Sequence, residues 1–207
     1  MIQNISHTAR KPSVREDENM IRVCYMPRQY LHSITHSLQN KQSITRNIQR
    51  RNQMIKVAFC CHGNICRSTL SESVFTYKVK ELGLEDMFLI DSFATSREEI
   101  GNPPHRGTVN KLREVGIPLV PHRAKQISLE DYNKFDYIIG MDSYNMRNLN
   151  RMLKGDPDGK LYKFLTFSGS DRDIADPWYT GDFDETYRDV TEGCEAFLEY
   201  LKKHHNL

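Results

Sequence analysis

The chain has 207 residues, 38% hydrophobic and 27% charged, which is enough for one α/β domain and short for two. Its formal net charge of +2 joins two unlike pieces: residues 1–53 carry nine Lys/Arg against Glu16, Asp17 and Glu18, a net of +6, and residues 54–207 carry −4. No apolar run approaches the ~18 residues of a membrane helix, no secretory stretch opens the chain, and five cysteines, three of them clustered at Cys60, Cys61 and Cys66, are not a disulfide framework. The balance gives no reason to assign nucleic-acid binding to residues 54–207, and the cysteine usage points to a reducing cytoplasm.

Residues 1–53 are rich in Asn, Gln, Ser, Arg and His, with helical spacing hinted only from Tyr30 to Leu38. They read as a basic extension, disordered or weakly helical, the other reading being a basic arm for an acidic partner. At Met54 the texture changes. The apolar run 55–60 is a buried parallel strand. A Gly-containing loop leads to a helix from Ser68 to about Leu82, closed by Gly83. Residues 88–91 form a second strand, and a helix runs from Pro104 to Val115-Gly116, with Pro at its start and Gly at its end. Ser128 opens a third helix. Residues 137–141 are the third strand, followed by a helix over 143–153, and residues 161–165 are the fourth. A last helix covers 184–203, with Tyr187, Val190, Cys194, Phe197, Leu198 and Leu201 on one face. Alternating strands and helices imply right-handed crossovers and a doubly wound parallel sheet. Such sheets bind ligands beyond the carboxyl ends of their strands, which draws attention to the loop after strand one.

That loop reads Cys61-His62-Gly63-Asn64-Ile65-Cys66-Arg67-Ser68. Cys-x5-Arg is a weak pattern by itself, but this match lies between a strand and a helix, and no other cysteine has Arg six residues on. A tight loop entering a helix N-terminus gathers backbone N–H groups around one point and adds the dipole's positive end. Gly63 allows close approach and positive φ, and Asn64 tolerates a left-handed conformation. Arg67 offers a planar fork for two phosphoryl oxygens. The same field favours thiolate at Cys61, and Ser68 can donate a hydrogen bond to it. A zinc site from Cys60, Cys61, His62 and Cys66 lacks paired ligand spacing, and Arg67 would repel the ion.

A thiolate attacking a phosphate ester needs a proton donor for the leaving oxygen. The candidate is Asp176 in Ala175-Asp176-Pro177-Trp178-Tyr179-Thr180-Gly181. Pro177 keeps Asp176 out of helical geometry, and Trp178 and Tyr179 can wall a slot for an aromatic ring. Asp-Pro alone is an ordinary turn signal. Its weight comes from partnership with the thiolate loop.

With these two loops and the segments Asp91–Ser96, His122-Arg123 and Gly140-Met141-Asp142, residues 54–207 resemble the low-molecular-weight protein-tyrosine phosphatases. The resemblance implies a flavodoxin-like, four-stranded parallel sheet flanked by helices, a phosphocysteine intermediate, no metal and no cofactor. It implies Cys61 as nucleophile, Arg67 as phosphate clamp and Asp176 as general acid and then base. His62, Gly63, Asn64, Ile65, Cys66 and Ser68 would surround the phosphoryl group, with Trp178 and Tyr179 beside its ester. Asn64, Ser68, Ser92 and His122 would brace the loop, with Asp142 supporting the same network. Cys66 matches a neighbouring cysteine able to form a reversible disulfide with the nucleophile, the other reading being a small core residue.

Three positions depart from the family pattern. Thr69 stands where Pro is usual, Cys60 where an aliphatic is usual, and Glu98 where many relatives place a rim aromatic. Cys60 reads as strand packing, with a resolving thiol as the other reading. Glu98 puts substrate preference in question. An arsenate reductase on this fold would need relay cysteines between Cys66 and Cys194, where there are none, and a protein-arginine phosphatase would carry Thr at the position of Ile65. The expected partner is a phosphotyrosine-containing protein or small aryl phosphate, with no nucleic acid and no membrane. Oligomeric state is left open. Met54 stands where relatives usually begin, so translation is expected to start there, with residues 1–53 as an extension.

Overall fold

The computed structural model describes residues 54–205 and residue 207; the reading of residues 1–53 as a basic extension lies outside the described residues. Twelve short elements follow one another. They are β1 (Ile55–Cys61), α1 (Arg67–Glu81), a 3₁₀ turn (Glu85–Met87), β2 (Phe88–Ala94), α2 (Arg106–Glu114), α3 (Leu129–Lys134), β3 (Tyr137–Gly140), α4 (Ser143–Met152), β4 (Leu161–Lys163), a second 3₁₀ turn (Phe164–Ser168), α5 (Pro177–Thr180) and α6 (Phe183–His205). The sheet has the order β2-β1-β3-β4, and every neighbouring pair is parallel. The expected four-stranded parallel sheet is therefore present.

β1 is buried along almost its whole length because it is central and covered on both faces. Strand alternation splits its side chains between two cores. Ile55, Val57, Phe59 and Cys61 face Leu70, Val74 and Phe75 of α1 and Val190, Cys194 and Phe197 of α6. Ala58 and Cys60 face the other way, toward Phe93, Tyr132, Phe135, Ile138 and Leu149. Cys60 is thus packed in the core on the sheet face opposite Cys61, and its burial raises its thiol pKa well above the ordinary value. The packing reading holds.

Several boundaries differ from the sequence expectation. β2 runs three residues further than 88–91, because Ser92, Phe93 and Ala94 pair with Phe59, Cys60 and Cys61 of β1. β4 is shorter than 161–165: it stops at Lys163, and Phe164 and Leu165 turn into a 3₁₀ segment that delivers both side chains to the core. α2 begins after Pro104, at Arg106, because the His105 ring nitrogen Nδ1 accepts from Gly107 N–H and caps the helix. The 177–180 segment, expected as loop, is a single helical turn, with Asp176 as N-cap, Pro177 at the first position and Gly181 at φ 72° after it. These elements bring the β1–α1 loop, the end of β2, the β3–α4 junction and the 169–182 segment to one edge of the sheet.

Candidate active site

The loop after β1 is organised from its carbonyls outward. Cys61 O accepts from Thr95 N–H at 2.8 Å, His62 O from Ser96 N–H at 3.0 Å, and Ile65 O from His105 N–H at 2.8 Å. Cys66 O accepts from Leu70 N–H at 3.0 Å and from Thr69 Oγ1 at 3.0 Å. In a planar trans peptide the next N–H lies antiparallel to the carbonyl. Carbonyls drawn outward therefore turn the N–H groups of His62, Gly63, Cys66 and Arg67 inward. The result is an anion cradle at the N-terminus of a 15-residue helix. Thr69 thus ties the first helical turn to Cys66 through its hydroxyl.

Asn64 supplies the left-handed residue, at φ 59°. Gly63, which could also have taken positive φ, does not. It serves close approach instead: a Cβ there would lie 3.1 Å from Glu99 Cγ.

Asn64 is fully buried and all four of its side-chain bonding positions are used. Its Oδ1 accepts from Lys125 N–H at 3.1 Å and meets His122 Nε2 at 2.7 Å. Its Nδ2 donates to Ser68 Oγ and to Ser92 Oγ, both at 2.9 Å. Because Lys125 N–H can only donate, the amide orientation is fixed, and His122 must then carry its proton on Nε2. Ser68 Oγ, already an acceptor, is left to donate to Cys61 Sγ at 3.1 Å. Ser92 likewise donates to Glu72 Oε2 at 2.6 Å. The sulfur also accepts Asn64 N–H at 3.3 Å. Two donors thus face Cys61 Sγ.

Glu72 is the least expected member. It sits on α1, one turn after Ser68 on the same face, and that i, i+4 spacing was the available signal. It is buried, and its Oε2 lies 3.3 Å from His122 Nδ1. Burial pushes the Glu72 carboxyl up to about 7 and the His122 imidazole below its ordinary value. Both shifts favour a neutral acid beside a neutral ring. Glu72, Asp91 and His122 offer metal-ligand atoms within 4.8 Å of one another. Those atoms are already engaged, Asp91 by Lys125 Nζ at 2.7 Å and the other two as above.

Arg67 is buried, and its guanidinium reaches across the loop. Nη1 donates to Asp142 Oδ2 at 2.5 Å and to Ile174 O at 2.9 Å, and Nη2 donates to Asp176 Oδ2 at 2.5 Å. Nε is buried with no protein partner. Burial opposes the charge, but Cys61, Asp176 and Asp142 outweigh it and hold the Arg67 pKa above its ordinary value. Asp142 also caps α4 by accepting Asn145 N–H at 2.5 Å, so one carboxylate joins the helix start to the guanidinium. Asp176 Oδ1 accepts Trp178 N–H at 3.1 Å.

One cleft is lined by Cys61, His62, Gly63, Ile65, Cys66, Glu98, Glu99, Asp176, Trp178 and Tyr179. It holds most of the candidates, and the remaining ones (Asn64, Arg67, Ser68, Ser92, His122, Asp142) lie behind them, joined through Cys61, Asn64 and Asp176. Trp178 and Tyr179 are 55% and 83% exposed, open walls rather than core. Glu98 Oε2 accepts from His62 Nε2 at 3.1 Å at the rim. Glu99, like Glu72 and Lys125, had no sequence motif to announce it. Cys66 shares the cleft; burial, and then the neighbouring Cys61 charge, push its thiol up to about 12. No helix among the described residues is long and apolar enough to cross a membrane.

Residues 56–207 match the family model described as "Low molecular weight phosphotyrosine protein phosphatase". The low-molecular-weight protein-tyrosine-phosphatase YfkJ of Bacillus subtilis is 39% identical over 156 residues, covering 74% of this chain and 100% of the relative. Its crystal structure superposes with a TM-score of 0.70 over 73% of this chain and 96% of that one. SP-PTP, the low-molecular-weight protein tyrosine phosphatase of Streptococcus pyogenes, is 42% identical, with a TM-score of 0.65 over 74% of this chain and 98% of that one. A Drosophila arginine phosphatase is 29% identical, with a TM-score of 0.66 over 72% and 98%.

Proposed function

The chain belongs to the low-molecular-weight phosphotyrosine protein phosphatase family, and from that premise we propose that it hydrolyses protein phosphotyrosine and aryl phosphate monoesters through a phosphocysteine intermediate. The observation that carries this reading is the meeting of Cys61 Sγ, the Arg67 guanidinium and the Asp176 carboxyl around one loop of inward N–H groups. The Cys61 thiolate attacks phosphorus, the S–P bond forms, and the P–O bond to the aryl oxygen breaks. Asp176 gives that oxygen its proton, so the product leaves as a neutral phenol. Water then attacks the phosphocysteine, Asp176 takes the water proton, and the S–P bond breaks to return thiolate and release inorganic phosphate.

Arg67 and the loop amides carry the charge of the transferring group. Substrate oxygens can engage the orphan Arg67 Nε–H and draw Nη2 from Asp176, freeing that carboxyl for proton transfer. Asn64, Ser68, Ser92, His122 and Asp142 act as positioning residues. A denaturing quench during turnover is expected to leave one phosphoryl group on the peptide containing Cys61. Its absence there, or turnover surviving in Cys61→Ser, would overturn the mechanism. Phosphoarginine peptides are the comparison substrate; Ile65 favours the tyrosine branch, and a higher kcat/KM for phosphoarginine would reassign the substrate.

A further inference from the structure

His105 stands outside every motif of the reaction, yet it touches both halves of the site. Its backbone N–H holds Ile65 O of the phosphate loop at 2.8 Å. Its ring stacks on Phe183, with centroids 5.4 Å apart and planes at 5°, and meets Trp178 edge-on at 5.8 Å and 70°. Phe183 in turn packs against Ile65, Cys66 and Ala124. Trp178 is two residues from Asp176 and donates its N–H to that carboxylate. A line of rings therefore runs from the phosphate loop through Phe183 and His105 to Trp178.

Two details show that this stack is built in. The His105 ring is oriented by its own helix, because Nδ1 accepts Gly107 N–H at 3.1 Å. Gly107 is the residue that lets Phe183 lie there: a Cβ would come within 2.2 Å of Phe183 Cε2. The 176–180 turn is otherwise held at Asp176 by Arg67 and at buried Pro177, while its aromatic end, Trp178 and Tyr179, is largely exposed.

We propose that His105 is a positioning residue that sets the Asp176 turn against the phosphate loop through its stack with Phe183 and its edge contact with Trp178. The proposal rests on the reading of Asp176 as proton donor. Aromatic contacts of this kind favour one ring geometry beyond their area burial, enough to fix one placement of a short turn. A displacement of the donor by about an ångström weakens proton transfer far more than phosphate binding.

The test compares phenyl phosphate, whose leaving oxygen needs a proton, with 2,4-dinitrophenyl phosphate, whose leaving oxygen does not. His105→Asn keeps a cap acceptor and removes the ring. It is expected to lower kcat/KM for phenyl phosphate about tenfold while changing the dinitrophenyl ester about twofold or less, with inhibition by inorganic phosphate unchanged. His105→Phe keeps the ring and is expected to restore most of the lost rate. Gly107→Ala, which displaces Phe183 without touching His105, should reproduce the split. That variant keeps the question open to refutation if His105→Asn folds poorly. In the double variant with Asp176→Asn, the His105 effect should vanish. Equal losses on both esters, an unaltered phenyl phosphate rate, or additive losses in the double variant would each overturn the proposal. Asp176→Asn alone separates the two layers. If it shows the ester split and the His105 variants do not, only this inference fails; if it shows none, the proton-donor reading fails and takes this proposal with it.

Discussion

The two loops that meet at the cleft are built on opposite plans. The 61–68 loop is largely buried, and its Cys61, Asn64 and Ser68 side chains belong to a closed set of hydrogen bonds with Ser92, Glu72, His122 and Lys125 N–H. The 169–182 segment is largely exposed and is held at separate points. Lys163 pairs with Asp171 and with Asp173, which also accepts Ser143 N–H and Oγ at 3.0 and 2.9 Å. Arg172 pairs with Asp189 and Glu192, both at 2.7 Å. Ile174 N–H reaches Met141 O at 3.0 Å. The contrast follows the chemistry each loop serves. A phosphoryl group has one shape, so its cradle gains from being preorganised. In the proposed mechanism the leaving group varies with the substrate, and Asp176, the proposed proton donor, sits on a turn that an incoming ring can reach.

The contrast can be broken at either end, and the largest effect should come from the proton donor. Asp176→Asn is expected to lower kcat/KM for phenyl phosphate by about a hundred- to a thousandfold. It should leave inhibition by inorganic phosphate within about threefold, because the cradle is untouched; a parallel loss of phosphate affinity would mean that the two loops are not separable. Asn64→Ala attacks the closed set. It leaves Lys125 N–H and His122 without their acceptor and frees two serines to rotate, so an unfolding cost of about 2–4 kcal/mol is expected. Urea titration measures this, and phosphate affinity should fall with it.

Glu72 gives the comparison a pH axis. Its carboxyl is raised to about 7 in the folded chain, above the ordinary ~4.3 of an unfolded one. Between these values the unfolded chain has released the proton that the folded chain keeps, so this group's contribution to stability falls as pH rises from about 4.5 to 7 and is flat above. His122, lowered by burial, acts oppositely below its ordinary value. Glu72→Gln removes only the first contribution. The melting temperature of the parent relative to Glu72→Gln should therefore fall across that window; a constant difference would refute the buried neutral acid. At the small end, Glu192→Gln removes the half-exposed ion pair with Arg172 that tethers the other segment. It should cost at most about 1 kcal/mol and diminish further in salt, read by melting in low and high ionic strength.

What could be read in advance divides along the same line. Cys61, Arg67 and the loop between them were legible because a strand, a tight turn and a helix start are local, and their chemistry follows from position. The pairing of Asp176 with that loop was read from the need for a proton donor and then from the family resemblance, since 115 residues separate them and no local rule joins them. β4 was overextended because apolar Phe164 and Leu165 suit a strand as well as a 3₁₀ turn that points both into the core. Gly63 and Asn64 both read as open to positive φ, because local rules admit both, and only the bonds from Lys125 and His122 select Asn64.

The sequence by itself determined the order of elements, the central buried strand and the residue types at the anion cradle, because hydrophobic period, capping and turn chemistry act over a few residues. Tertiary structure decided which distant groups complete them. Glu72 behind Ser92, Lys125 N–H on Asn64, Ile174 O on Arg67 and the His105 stack between two loops are contacts across 20 to 107 residues. Only the parallel crossovers bring those chain segments to one edge of the sheet, and no periodicity along the chain encodes such meetings.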